Sequence, residues 1–345
     1  MNAISPIGGL AVRRAGPEDE FGIAAFLARH DGATPFHRIA WLRAVEEGCG
    51  HRSFSLVAEA FGAITGYLPL VHIRSRLFGS ALVSTGFSVG GGILATDAAS
   101  AERLAAAAIA LAEKLGCPSV ELRGGDLPAG WRRSEGVYAG FARALPSGDD
   151  AILKSIPRKQ RAEVRRALGH GLEVAVGRDA ATHFRVYSES VRNLGTPVFP
   201  PALLQAMLDR FGEDADVLTI SKDGTPLASV LSLYSKGIVY PYWGGCVGEG
   251  RRLRAGELLY YELMRHASAR GCIRFDFGRS KLGTGAFAFK KNWGFEPEPL
   301  VYAVHGAARD MNPLSAKYRL QVAMWKKLPL ALANRLGPSI ARQLG

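Results

Sequence analysis

Apolar positions recur at helical spacing over Pro17 to Arg29 and Phe36 to Glu47, and again over Ala180 to Asn193 and Pro200 to Phe211, so each half of the chain opens on two helices. Strand, glycine turn and strand follow over Phe54 to Leu70 and over Val217 to Leu233, with Ala60-Phe61-Gly62 and Lys222-Asp223-Gly224 at the turns. An Ala-rich amphipathic helix from Ala101 stops at Gly116-Cys117 and passes into a strand, Ser119 to Arg123. Glu257 to Arg270 reads the same way, with a stop at Gly271-Cys272 and a strand from Ile273 to Phe277 that ends in Gly278. Laying Gly116 on Gly271 brings Glu121 onto Asp276 and Leu122 onto Phe277. The pattern predicts an α+β protein made of two copies of one unit, each with a central, mostly antiparallel sheet flanked by helices. We place the copies at residues 1–150 and 151–310, joined by a connector that holds Pro157 and a helix from Arg158 to Leu168. Basic amphipathic helices broken by Pro329 and Pro338 occupy 311–345.

With 345 residues, 48% hydrophobic and 21% charged, the chain has apolar material for two cores and too little charge for a disordered one. No apolar run is long enough to span a bilayer, and Met1 to Leu10 has neither the basic nor the apolar region of a secretory signal. A cytoplasmic protein is expected. Cys49, Cys117, Cys246 and Cys272 lie far apart without a C-x-x-C pair, which predicts buried thiols and no metal site. Charge adds more, because of the formal net +12, Lys154 to Arg166 supplies +5 and Val301 to Gly345 supplies +6. Two local anion-facing surfaces are implied. Arg158, Lys159, Arg161, Arg165 and Arg166 at helical spacing would present a basic face suited to a tRNA backbone or a diphosphate carrier, or simply to solvent. Interleaved aromatic residues of the RNA-reading kind are absent there.

The chemistry concentrates in one stretch. Phe275-Asp276-Phe277-Gly278-Arg279 reads as a strand end released into a glycine-rich basic loop, Ser280 to Gly285, in which Thr284 can cap a short helix. Backbone N–H groups, Arg279 and Lys281 would then face an anion or an oxyanion. Arg251, Arg252 and Arg254, just before a helix, suit a phosphate-bearing partner. Gly86-Phe87-Ser88-Val89-Gly90 matches G-x-S-x-G, with Asp276 and His305 in hydrolase order, but extended chain rather than a helix follows it. Gly90-Gly91-Gly92 reads instead as a place where chain or ligand approaches closely.

Asp276-Phe277-Gly278-Arg279, followed by Phe289-Lys290-Lys291-Asn292-Trp293-Gly294, resembles the signature of the FemAB-like proteins, an acyltransferase family built on tandem GNAT-like folds, and of their CelD-like relatives. Pro157-Arg158-Lys159-Gln160-Arg161 through Gly171-Leu172 is similar to the family's basic helix, and Tyr242-Trp243-Gly244-Gly245 to the segment before its Arg-rich turn. The likeness covers Lys154 to Ala303 well and the first half in layout. With Gly283-Thr284-Gly285 inserted, it looks most like the branch associated with exosortase/PEP-CTERM and exopolysaccharide loci. The resemblance implies amide formation on an amine of a peptidoglycan-like or exopolysaccharide precursor, from aminoacyl-tRNA or from acyl-CoA, with no bound cofactor. It implies that Lys290 stabilises the carbonyl oxygen and that Asp276 orients or deprotonates the amine, while Lys291 faces solvent or phosphate. Arg279, Lys281, Gly283, Thr284, Phe289, Tyr242, Trp243, Arg158, Arg161, Arg251 and Arg254 are the expected substrate contacts. Glu249 to Glu257 departs from the R/Q-x-x-G-x-G/A spacing of an ordinary GNAT pyrophosphate loop, which weighs against coenzyme A. From a different class, the basic stretches fit a non-catalytic RNA- or membrane-binding module. The C-terminal pieces fit either packing across the body or peripheral contact at the inner face of the membrane.

Overall fold

The computed structural model describes residues 9–75, 78–307 and 316–345. The first copy forms β1 (Leu10–Arg14), α1 (Glu20–Arg29), α2 (Ile39–Cys49), β2 (Arg52–Ala60), β3 (Ala63–Ile73), β4 (Ala81–Ser84), β5 (Leu94–Ala95), α3 (Ala98–Lys114), β6 (Ser119–Arg123) and β7 (Arg132–Ser134). There follow β8 (Tyr138–Ala144), α4 (Asp149–Ser155), α5 (Arg158–Leu168), β9 (Glu173–Gly177), α6 (Ala180–Leu194), α7 (Pro201–Phe211), β10 (Ala215–Lys222), β11 (Thr225–Ser235) and β12 (Ile238–Cys246). After them come α8 (Gly248–Arg252), α9 (Ala255–Ala269), β13 (Arg274–Lys281), α10 (Gly285–Asn292), β14 (Pro297–Pro299), β15 (Tyr302–Gly306), α11 (Ala316–Trp325) and α12 (Leu330–Ala341).

Local chemistry sets these ends. Asp97 and Asp179 accept the N–H groups of Ser100 and Thr182 to cap α3 and α6, and Gly195 closes α6 in the left-handed conformation. The two hairpins, β2–β3 and β10–β11, turn on Phe61-Gly62 and Asp223-Gly224, all four residues at positive φ.

The first sheet has the order β1-β2-β3-β4-β6-β15-β7, with β5 beside β3, and the second the order β14-β8-β13-β12-β11-β10-β9. Read from opposite ends the two orders correspond strand for strand. Each holds a parallel pair, β4 with β6 and β12 with β13, joined by the helical crossover connection that a parallel pair requires. The sixth strand of each sheet, however, is supplied by the other copy. β8, which follows β7 in sequence, pairs antiparallel with β13, while β15, which follows β14, pairs with β6. The compact units therefore do not break at 150 and 310. One comprises the described residues 9–135, 300–307 and 342–345, and the other 136–299 and 316–341. Backbone groups on the open edge of β6 or β13 need a partner, and a strand more than 100 residues away meets that need as well as a local one would.

In the first unit Leu56, Leu68, Leu82, Leu104, Val120 and Leu122 form a core beneath the Ala-rich α3, and Ile23, Phe26, Val57 and Tyr67 form a smaller one under α1. In the second, Phe141, Val230, Leu263, Phe275, Trp293 and Phe295 are buried together. Cys49, Cys117 and Cys272 are buried and Cys246 is half-buried, all as free thiols. Among the described residues no helix is long and apolar enough to cross a membrane.

Where the second sheet has the continuous β12, the first has β4 and β5 with Thr85 to Ile93 looped out between them. Ser88 is fully buried, its Oγ 2.5 Å from the carbonyl oxygens of both Thr85 and Gly90, and no helix follows it. It is not a nucleophile elbow. Trp41 Nε1 donates to Gly86 O at 3.0 Å, and His37 Nε2 lies 3.1 Å from Gly92 O. The glycine run serves chain approach, since the Gly92 N–H donates to Arg123 O at 3.1 Å. Arg123, at the position matching Gly278, is 2% exposed, paired with Glu121 at 2.7 Å, and donates to Ser88 O and Gly345 O, each at 2.9 Å. A side chain thus fills the place in the first unit that corresponds to the candidate site of the second.

Candidate active site

The ladder between β12 and β13 includes only Ile238 with Arg274 and Val239 with Phe275, so the two strands part after Phe275. Asp276 stands at this fork. β13 does not end at Gly278, as the sequence pattern suggests, but continues to Lys281 through a bulge in which Asp276 pairs with Ala142 and Arg279 with Gly140. The reason is β8, whose docking gives the residues beyond Gly278 a ladder to join. Gly278 takes φ +67°, and its N–H donates to Asp276 Oδ1 at 2.8 Å.

The loop is thereby shortened to the turn around Gly283, at φ +75°. Thr284 caps α10, its Oγ1 accepting the Phe287 N–H at 3.3 Å and donating to Lys281 O at 2.7 Å. α10 then folds back and returns Lys290 to the bulge, where Nζ donates to Arg279 O at 2.8 Å. The ammonium lies 5.4 Å from the ring centres of both Phe141 and Phe277. Burial lowers the Lys290 pKa to about 7, with Asp276 opposing the shift and Arg279 adding to it. Burial raises the Asp276 carboxyl, against the pull of the Gly278 N–H and of Lys290. The buried hydroxyl of Tyr240 is raised too, first by burial and then by Asp276. A half-buried amine that holds or releases its proton near neutrality, near a half-buried carboxyl at a fork in the sheet, can polarise a carbonyl or handle a proton.

Thr284→Ala is expected to cost about 1 kcal/mol in urea unfolding and to slow catalysis severalfold, with Thr284→Ser close to wild type. An alanine variant as stable and as active as the parent would show that the cap does not position Lys290.

Asp276, Arg279, Lys281, Gly283, Thr284 and Lys290 lie along the bulge of β13, the turn after it and α10. Phe289 enters an aromatic cluster with Tyr260, Phe277 and Trp293, at ring separations of 5.6, 6.1 and 6.2 Å. Trp243 is 4% exposed and packs edge-on against Tyr242 and Phe199. On α5 the buried stripe is Gln160, Val164 and Ala167, which leaves Arg158 exposed and Arg161 half-buried on the basic side. The Arg-rich turn is the short helix α8. In it the N–H groups of Arg251, Leu253 and Arg254 are taken by the carbonyls of Val247, Glu249 and Arg251. Arg254, expected to meet phosphate, makes a 2.7 Å ion pair with Glu163, because the packing of α5 against α9 sets that carboxylate beside it. The Glu257 carboxyl at the start of α9 is held above its usual range by burial. Sequence reasoning missed Phe141 and Tyr138, the latter with the Arg279 guanidinium 4.6 Å above its ring. Both lie on β8, on the far side of the expected boundary, and no local signal assigns them to this sheet.

A mixed sheet whose central parallel pair forks, with a helix crossing between its strands, defines the class of GNAT-fold acyltransferases. Residues 156–291, within the second unit, match the acetyltransferase (GNAT) domain family. No curated protein matches the chain in sequence. Among solved structures, FemX is 14% identical over 84% of this chain and 96% of its own, at a TM-score of 0.65. The tandem GNAT protein from the clavulanic acid biosynthesis pathway is 13% identical over 87% and 99%, at 0.54. L-PGS from Bacillus licheniformis is 15% identical over 97% and 99%, at 0.52. The fold is a tandem GNAT arrangement similar to that of these structures.

Proposed function

We propose that the chain forms an amide by transferring an aminoacyl group from charged tRNA to an amine of a cell-envelope precursor, peptidoglycan-like or exopolysaccharide. The observation that carries this reading is Lys290 at the bulge of β13, hydrogen-bonded to Arg279 O and within electrostatic reach of the half-buried Asp276. A neutral amine attacks the acyl carbonyl and the carbonyl electron pair moves onto oxygen, where the Lys290 ammonium stabilises it. Asp276 orients the amine. Collapse of the intermediate expels the donor's oxygen, and the amine's proton passes to solvent or to Asp276. Charged tRNA is favoured as donor over a coenzyme A diphosphate because the N–H groups of Arg251, Leu253 and Arg254 are already taken by backbone carbonyls and Glu257 adds a half-buried carboxyl beside them. The exposed basic side of α5 suits a polyanion. The family name of the second unit favours an acyl-CoA thioester as the second reading.

Binding to charged tRNA, uncharged tRNA and acyl-CoA thioesters across a salt series separates the two. Preference for charged tRNA that persists at physiological salt supports the proposal. Saturable thioester binding, with tRNA binding lost as salt rises, overturns it in favour of the second reading.

Transfer is expected to fall as pH rises through about 7, because Lys290 then loses the proton that it donates. Lys290→Arg should move this limb to higher pH. A rate that climbs through pH 7 without such a limb would make Lys290 a base and sink the role given to it here.

A further inference from the structure

The C-terminal helices are inverted relative to ordinary amphipathic ones. α12 lays Ala333, Gly337 and Ala341 inward, and a Cβ on Gly337 would come within 3.0 Å of the Val198 backbone N. Its Leu332 and Leu336, one turn apart, are 42% and 43% exposed. On α11, Val322 packs over Gly195 while Leu320 and Met324 are 70% and 62% exposed. A helix that merely covers a domain does the reverse, burying leucine and exposing alanine. The arrangement is held by hydrogen bonds, Arg192 Nη1 to Leu328 O at 3.3 Å and Asn334 Nδ2 to Ser188 Oγ at 3.2 Å. The charge here is one-sided, since Asn312 to Gly345 contains six Lys and Arg and no Asp or Glu. Lys326 and Lys327, in the turn between the two helices, and Arg335 on α12 are exposed.

We infer that α11 and α12 dock the chain on the surface of an anionic bilayer, with Leu320, Met324, Leu332 and Leu336 entering the interfacial layer and Lys326, Lys327 and Arg335 meeting lipid phosphates. Nucleic acid would engage the cations but has no place for four outward aliphatic side chains. A second copy would bring like charges together across the same face. This docking is independent of the chemistry at Lys290.

The test is sedimentation of the full chain with vesicles of phosphatidylcholine alone and of phosphatidylcholine containing roughly one third phosphatidylglycerol. Binding to the anionic vesicles should be at least about tenfold tighter. The quadruple variant L320S/M324S/L332S/L336S should weaken it at least about tenfold, and K326S/K327S by a similar factor. The substituted side chains are solvent-facing, so unchanged circular dichroism and urea midpoints are expected and confirm folding. Equal or absent binding to the two vesicle types overturns the inference, as does full binding by the quadruple variant. So does a wild-type dimer that ignores vesicles and becomes monomeric in that variant.

Discussion

Replacing Lys290 by methionine should lower acyl transfer at least about a hundredfold and, in the same variant, raise stability at neutral pH. Both effects have one cause. Burial brings the Lys290 pKa from 10.5 to about 7, so between those values the unfolded chain binds a proton that the folded chain does not. Stability therefore rises with pH across this window, and the penalty is complete at pH 7 and below. Methionine keeps the length and fills the space between Phe141 and Phe277 without an ammonium to desolvate. A gain of about 1–3 kcal/mol is expected after allowing for the lost attraction to Asp276. Transfer assays with whichever donor supports turnover, alongside urea unfolding at pH 6 and pH 9, check both halves. The gain should shrink at the higher pH. An unaltered rate would remove Lys290 from the chemistry, and a variant less stable than the parent at pH 6 would mean that the electrostatic attraction to Asp276 outweighs desolvation.

Gly92→Ala should destabilise the first unit by about 3 kcal/mol or more, among the largest effects of any single methyl group in this chain. A Cβ at Gly92 would lie 1.8 Å from Gly124 O and 2.6 Å from its carbonyl carbon, and both are backbone atoms that no rotamer change can move. The loop from Thr85 to Ile93 would have to withdraw, and with it would go the Gly92 N–H bond to Arg123 O. Gly90→Ala is the control, because its Cβ finds Phe36 at 3.5 Å, an ordinary contact, and should cost less than about 1 kcal/mol. Urea unfolding of the two variants decides the matter. Equal costs would show that the loop is free to shift and that the tight approach is not what holds it.

Much of the fold was legible because it depends on short-range chemistry. The glycine turns at Phe61-Gly62 and Asp223-Gly224, the Thr284 cap and the helix Arg158–Leu168 stand where pattern and capping place them. The repeat that lays Asp276 on Glu121 likewise corresponds to β13 and β6 in matching sheets. What failed was whatever depends on pairing across the chain. The exchange of β8 and β15 leaves no trace in hydrophobic period, since either strand would read the same in either sheet. The bulge at Gly278 follows from that exchange, because without β8 the strand would end where the sequence suggests. Arg254 reads as a phosphate ligand until Glu163, 91 residues earlier, is found beside it.

Local pattern was enough for the two-copy α+β plan, the concentration of charge in α5 and the C-terminal stretch, and the stretch that carries Asp276 and Lys290. These rest on period, turn chemistry and local charge, which act over a few residues. Long-range packing sets the rest: Lys290 is half-buried against an aromatic side chain from the preceding half, Arg123 fills the corresponding place in the first unit, and Leu332 and Leu336 of α12 face outward. Each of these depends on which distant surfaces meet. A lysine's proton affinity and a leucine's exposure are set by those neighbours and not by the residues on either side in the chain.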